Sequence, residues 1–177
     1  KIFQISCVFN NNQNYLLTLG NCNPIKNTTI LSYKNELSLL LGFVDLINEH
    51  NPNIILGYNI LGFDIPYMIK RSKSEFCNCF DDFSKMGFIV NKKCNEKNIK
   101  WSSSAYRNQE FNFLNLDGRL IVDLLPLVRR DYKFNNYKLK TVSTFFLGET
   151  KDPLDHKGIF KCYRQGMLGG EKGKKAM

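Results

Sequence analysis

Twice in this chain a short apolar run passes straight into a helix start marked by proline, which points to a layered α/β fold. The first run, Ile54 to Tyr58, is predicted to be a short buried strand directly after Asn51-Pro52, and at Gly62-Phe63-Asp64-Ile65-Pro66 the pattern changes into a helix carrying Tyr67, Met68 and Ile69. Pro66 suits a first helical turn, where its missing N–H would have no partner anyway. The second run, Leu120-Ile121-Val122-Asp123, is predicted to continue into a helix over Leu124 to Phe134, again with a proline, Pro126, in its first turn. Ahead of both, Ile2, Phe3, Ile5, Cys7 and Phe9 and then Tyr15 to Leu19 read as a β-hairpin around the Asn-rich stretch Asn10 to Asn14. Leu37, Leu40, Leu41, Val44 and Ile47 recur at helical steps, predicting a helix over Glu36 to His50 with Asn35 as N-cap. A last helix is predicted over Tyr137 to Leu147, stopping at Gly148. The Asn-, Ser-, Cys- and Lys-rich stretch from Lys73 to Leu116 lacks periodicity and is expected to hold loops with short β pieces.

At 177 residues and 43% hydrophobic content the chain has the material for one domain with a real core. We divide it into a core over 1–148 and a basic, glycine-rich connection over 149–177, whose run Gly169-Gly-Glu-Lys-Gly-Lys-Lys is expected to be poorly ordered in isolation. The start inside an apolar alternation, without an initiator methionine, leads us to expect a piece of a longer protein. Lys plus Arg number 25 against 16 Asp plus Glu, a net charge of +9, which favours a polyanionic partner, nucleic acid first; a merely basic surface is the alternative. Much of the excess lies late, in Lys151, Lys157, Lys161, Arg164, Lys172, Lys174 and Lys175. The six cysteines show no Cys-x-x-Cys spacing, so a zinc site is not expected and reduced thiols of an intracellular protein are. No run is long enough for a membrane span and no signal-peptide pattern opens the chain, so no membrane partner is expected.

The sharpest motif is Gly57-Tyr58-Asn59-Ile60-Leu61-Gly62-Phe63-Asp64-Ile65-Pro66-Tyr67. It puts a carboxylate beyond the C-terminal end of a strand, where open α/β sheets bind ligands. Two readings of Asp64 stand at this point: an N-cap of the following helix, worth about 1 kcal/mol, or a functional carboxylate. Asn59 reads equally as a turn former and Phe63 as a core ring.

This string resembles the second exonuclease motif of family B DNA polymerases, in which Tyr-Asn, three residues, Phe-Asp, one residue and Pro-Tyr recur in the same register. Gly118-Arg-Leu-Ile-Val-Asp123-Leu-Leu-Pro-Leu-Val-Arg-Arg130 and Asn136-Tyr-Lys-Leu-Lys-Thr-Val-Ser-Thr-Phe-Phe-Leu-Gly148-Glu resemble later parts of that domain. The likeness is greatest to polymerases of large DNA viruses and to eukaryotic delta-type replicases. It implies a ribonuclease-H-like fold, a mixed central β-sheet flanked by helices, incomplete in this chain. It also implies proofreading hydrolysis at the 3′ end of DNA by two Mg²⁺ or Mn²⁺ ions held by four carboxylates. Two hard cations about 4 Å apart can activate water and stabilise a leaving oxygen where an anionic phosphodiester repels hydroxide.

By that resemblance Asp64 is the catalytic, metal-binding acid of the second motif. Asn59, Phe63 and Tyr58 are DNA-binding residues, and Tyr67 and Asp123 support the fold, Asp123 reading also as the N-cap of the helix that opens at Leu124. The family's first motif, Asp-x-Glu, belongs on a strand ahead of Lys1, and its third, Tyr-x-x-x-Asp, near the domain's end. No Asp here is followed two residues later by Glu, and no Tyr has Asp four residues on; Tyr106 with Glu110 comes nearest. One of four ligands is thus present, and this chain is not expected to hold the metals or to cut DNA unaided. For the parent protein the resemblance implies dNTPs and a primer-template as substrates, a sliding clamp as a further partner, and a site of DNA replication, nuclear or in a viral factory. A noncatalytic nucleic-acid-binding scaffold and a free-standing exonuclease are the competing readings.

Overall fold

The computed structural model describes residues 1–103, 107–149, 155–170 and 173, in α/β order with several sheets and helices. The chain forms two compact units: Lys1–Leu46 with Arg71–Phe83 and Leu154–Met177, and Ile47–Lys70 with Ser84–Pro153. No helix among the described residues is long and apolar enough to cross a membrane.

In the first unit the hairpin forms as the alternation demands. Strand β1 (Gln4–Val8) pairs antiparallel with β2 (Asn14–Leu19), Gln4 opposite Thr18. A further strand that periodicity did not reveal, β3 (Thr28–Tyr33), lies parallel to β2. The intervening turn-forming residues Gly20 to Asn27 mask it, although Thr28, Thr29 and Ile30 are β-branched. As the middle strand, β2 carries the most buried positions, Leu17 and Leu19. Helix α1 (Glu36–His50) begins where Asn35 accepts the Ser38 N–H at 2.8 Å, an N-cap. It buries Leu39, Leu40, Phe43, Val44, Leu46 and Ile47, whereas Leu37 and Leu41 are only half-buried, so the core face is turned from the one its leucines suggest. At the start of α1, buried Glu36 takes two hydrogen bonds from Arg71, 2.7 and 2.6 Å, and one from the Ile2 N–H at 2.6 Å.

The second unit holds β4 (Ile54–Gly57) parallel to β7 (Leu120–Asp123), and the antiparallel pair β5 (Asn95–Ser103) and β6 (Arg107–Asn115). Within the stretch expected to hold loops and short β pieces, these last strands are longer than foreseen, nine residues each. Their polar residues pair across the ladder, Asn98 with Glu110 and Asn112 with Glu96, a cross-strand stabilisation that no single-strand pattern displays. Buried Arg119 fixes the entry to β7 by donating to the carbonyls of Met86, Gly87 and Pro52. Helix α4 (Leu124–Asp131) stops short of Phe134, because Tyr132 turns extended and the Tyr132 and Phe134 rings pack on Phe146 and Phe145, at 4.9 and 5.1 Å. Helix α5 (Leu139–Leu147) starts two residues later than its apolar pattern suggests, since the Asn136 side chain accepts from the Lys138 N–H and the Thr141 hydroxyl.

The described strands therefore form three sheets, β1-β2-β3, β4-β7 and β5-β6, rather than the single central sheet expected. The stretch after 148 is more than a connection: Asp155 caps α6 (His156–Met167), accepting from the Gly158 N–H at 2.7 Å, and Tyr163 stacks on Phe3 at 4.6 Å. Of the run expected to be disordered, Gly169, Gly170 and Gly173 are described; 171–172 and 174–177, like Tyr106, lie outside the described residues.

Candidate exonuclease site

Strands β4 and β7 end level with one another, Gly57 opposite Asp123, and each runs at once into a helix. After β4 the chain needs a sharp reversal, which Asn59 supplies with φ 62° and ψ 25°, a left-handed conformation that Asn tolerates better than most residues. A single π turn, Ile60–Asp64, follows and leads without a break into α2 (Ile65–Ser72). The wider turn has a local cause in Pro66, which lacks an N–H and whose ring would clash with the carbonyl four residues back in a regular α-helix. Such π insertions concentrate at functional sites. Two glycines let the turn close: a Cβ at Gly57 would lie 1.9 Å from Ile60 Cγ2, and one at Gly62 would lie 2.5 Å from Asn59 Oδ1.

The helical run opens at Asn59, so Asp64 lies inside it, and the N-cap reading of Asp64 does not hold. Capping falls to Asp123. Its Oδ1 accepts from the N–H groups of Asn59 (2.7 Å) and Leu125 (3.0 Å), and its Oδ2 accepts from Leu61 (3.0 Å). These are donors that a helix start leaves without an intrahelical acceptor. One buried carboxylate thus ties the first turn of α4 and the loop before the π turn together, across 64 residues of sequence.

Asp64 is exposed as a residue, and no side-chain hydrogen bond to another residue holds it among the described residues. Its carboxyl is nevertheless pushed above the usual range, first by partial desolvation and further by the negative charge of Asp123, while its own backbone N–H works the other way. Phe63, expected either in the core or at DNA, is 62% exposed, which excludes the core reading. Its ring lies parallel to that of Tyr67, 3° between planes with centroids 6.1 Å apart. The Tyr58 hydroxyl donates to the Tyr137 carbonyl at 2.6 Å, so Tyr58 braces the loop to the segment before α5. Strand β6 runs beside the π turn.

Into this setting come the comparisons with known proteins. A sequence model of the DNA polymerase family B exonuclease domain matches residues 1–142. The chain belongs to that family. It is 53% identical over 173 residues to DNA polymerase 120R of Invertebrate iridescent virus 3, covering 93% of this chain and 15% of the relative. It is 38% identical over 139 residues to the putative DNA polymerase 060R of Frog virus 3, covering 76% of this chain and 13% of the relative. To the DNA polymerase delta catalytic subunit of Glycine max it is 36% identical over 141 residues, 80% of this chain and 13% of the relative. The chain therefore spans about 15% of the length of the relatives it matches.

Within the exonuclease-domain segment, Asn59, Phe63, Asp64, Tyr67 and Asp123 gather at one end of the β4-β7 pair, with Tyr58 bracing them. No group of three or more His, Cys, Asp or Glu residues able to hold a metal occurs among the described residues. Asp64 has the donor chemistry of one hard-cation ligand, and the neighbouring charge that raises its pKa is the kind a divalent cation relieves. Asp123, with three N–H donors on its two oxygens, has little left for a cation. The organising role of Arg119 was not foreseen; its place in the Gly118-Arg-Leu string, directly ahead of β7, was the available signal.

Proposed function

We propose that this segment supplies the second acidic motif of a proofreading 3′→5′ exonuclease in a DNA-directed DNA polymerase. The parent hydrolyses mispaired 3′ nucleotides, uses dNTPs on a primer-template, and works at the site of DNA replication with a sliding clamp. The ribonuclease-H-like arrangement is part of this proposal. The observation that carries it is Asp64, exposed on a π turn beside the exposed Phe63, whose ring lies along half-buried Tyr67, and backed by a buried carboxylate that pins the turn.

Each residue then has a task. Asp64 would hold one Mg²⁺ or Mn²⁺ through its carboxylate oxygens. Bound divalent ions of this kind supply an activated water and stabilise the leaving oxygen. Phe63 offers a face to an unpaired base, backed by Tyr67, and Asn59 presents an amide at the turn. Tyr58 and Asp123 hold that turn still, so the reacting phosphate meets a fixed carboxylate. A noncatalytic nucleic-acid-binding role has the net charge of +9 on its side.

The two readings part in the full-length polymerase. We expect Asp64→Asn to abolish removal of a mismatched primer end while extension of a matched primer continues. Mn²⁺ should raise the melting temperature of the wild-type protein more than that of the variant, because a ligand that binds only the folded state stabilises it. Normal editing by Asp64→Asn would overturn the assignment.

A further inference from the structure

We infer that the outward face of α6 is a docking surface for the phosphate backbone of duplex DNA, engaged by Lys157, Lys161 and Arg164. The inference rests on the reading that the parent protein acts on DNA, and it adds a contact that the acidic motif does not require. Helix α6 contains these three cations and no Asp or Glu. Their spacing of four and then three residues sets them in one row along the helix. All three are exposed, and with Gln165 and Leu168 they line one surface concavity. The helix is fastened from another side, where Tyr163 stacks on Phe3.

Helix stability accounts for Arg164, a cation in the last turn, but not for the other two. A cation in the first turn, Lys157, opposes the helix dipole, and Lys161 one turn on repels it. An anion laid along the row relieves both. Arg164 is steadied by its Nε bond to the Phe160 carbonyl at 3.3 Å, which leaves the two terminal amino groups of its fork for a phosphate.

A duplex suits the row better than a single strand. From Lys157 to Arg164 the helix advances about 10 Å, and a duplex carries one negative charge about every 1.7 Å of its axis with both strands counted, so a rigid row of three cations faces a dense and equally rigid line of charge. Single-strand capture relies on open aromatic faces, whereas on α6 Tyr163 has its ring on Phe3 and the half-exposed Phe160 leans on that same ring, centroids 6.4 Å apart.

The test uses the full-length polymerase carrying Lys157→Gln, Lys161→Gln and Arg164→Gln together, with binding to a blunt duplex and to a single strand measured over a range of salt concentrations. For the duplex, the slope of log affinity against log salt should flatten by about 2.7, with little change for the single strand. The charge-keeping set Lys157→Arg, Lys161→Arg and Arg164→Lys should retain the wild-type slope. An unchanged duplex slope overturns the inference, and if the triple variant also melts lower, the face packs against another part of the polymerase. Flattening confined to the single strand overturns the choice of duplex. The exonuclease assignment is read from mismatch removal by Asp64→Asn and this surface from the duplex salt slope of the triple variant, so failure of the one and failure of the other are separate results.

Discussion

At the scale of single residues, two carboxylates close together have opposite relations to stability. Asp123 accepts three backbone hydrogen bonds and is buried. Asp123→Asn would turn an amide donor towards one of those N–H groups, and we expect a loss of about 2 kcal/mol in thermal or denaturant unfolding. Asp64 is the reverse case. Its folded pKa is raised, so ionisation at neutral pH counts against the folded state, and Asp64→Asn should melt no lower than wild type and slightly higher at pH 7. That advantage should shrink as pH falls through the raised folded pKa and vanish below the unfolded value of about 4. Glu36 differs again. Burial would push its carboxyl up, but the Arg71 pair and the Ile2 N–H overcome this and hold it below the ordinary range. Its contribution is therefore full above the unfolded value of about 4.3 and lost as pH falls through the folded one. Glu36→Gln should cost about 3 kcal/mol at pH 7, with the gap to wild type closing in melts taken below pH 4.

The π turn is the element on which the proposed site depends, and its glycines differ in what they protect. At Gly57 a methyl would strike Ile60, whose branched side chain has little freedom to move, whereas at Gly62 it would meet the tip of Asn59. Gly57→Ala should accordingly cost about 1–3 kcal/mol, and Gly62→Ala less. Gly62→Ala should instead impair mismatch removal by displacing the Asn59 amide, which paired stability and editing assays would separate. The elements themselves were legible to unequal degrees. Helix α1 and the β1-β2 hairpin follow from periodicity, and β4 and β7 from their short apolar runs. Strand β4 is not the buried strand its run predicts, however: Ile54 and Leu56 are exposed, because only β7 pairs with it among the described residues. The β5-β6 pair and the early end of α4 follow from no local pattern, because partners across a ladder and rings on a later helix decide them.

For the whole molecule, a single exposed carboxylate in the family's acidic set leads us to expect no metal-dependent exonuclease activity from the purified 177-residue chain. Digestion of single-stranded DNA that Asp64→Ala abolishes would show otherwise. With a net charge of +9, any affinity of the chain for single-stranded DNA should fall steeply with salt, and a salt-independent affinity would contradict the electrostatic account. The late cluster of basic residues looked in the sequence like a solvated tail. Its folding into α6 is what sorts Lys157, Lys161 and Arg164 into one row.

The α/β class and the strand-to-helix junctions could be read directly from residue order, whereas the functional reading of Asp64 comes from the resemblance of its motif to the family and stands as a proposal. The class and the junctions rest on local rules: alternation, helical spacing, and the steric demands of proline and glycine. Three features could not be read so. Asp64 is no cap because the helical run opens at Asn59; Phe63 is exposed because its ring lies along Tyr67 outside the core; and Asp123 does the capping for a loop 64 residues away. All three depend on groups distant in sequence or on which side of a turn meets solvent, and a linear pattern records neither distance in space nor access to water.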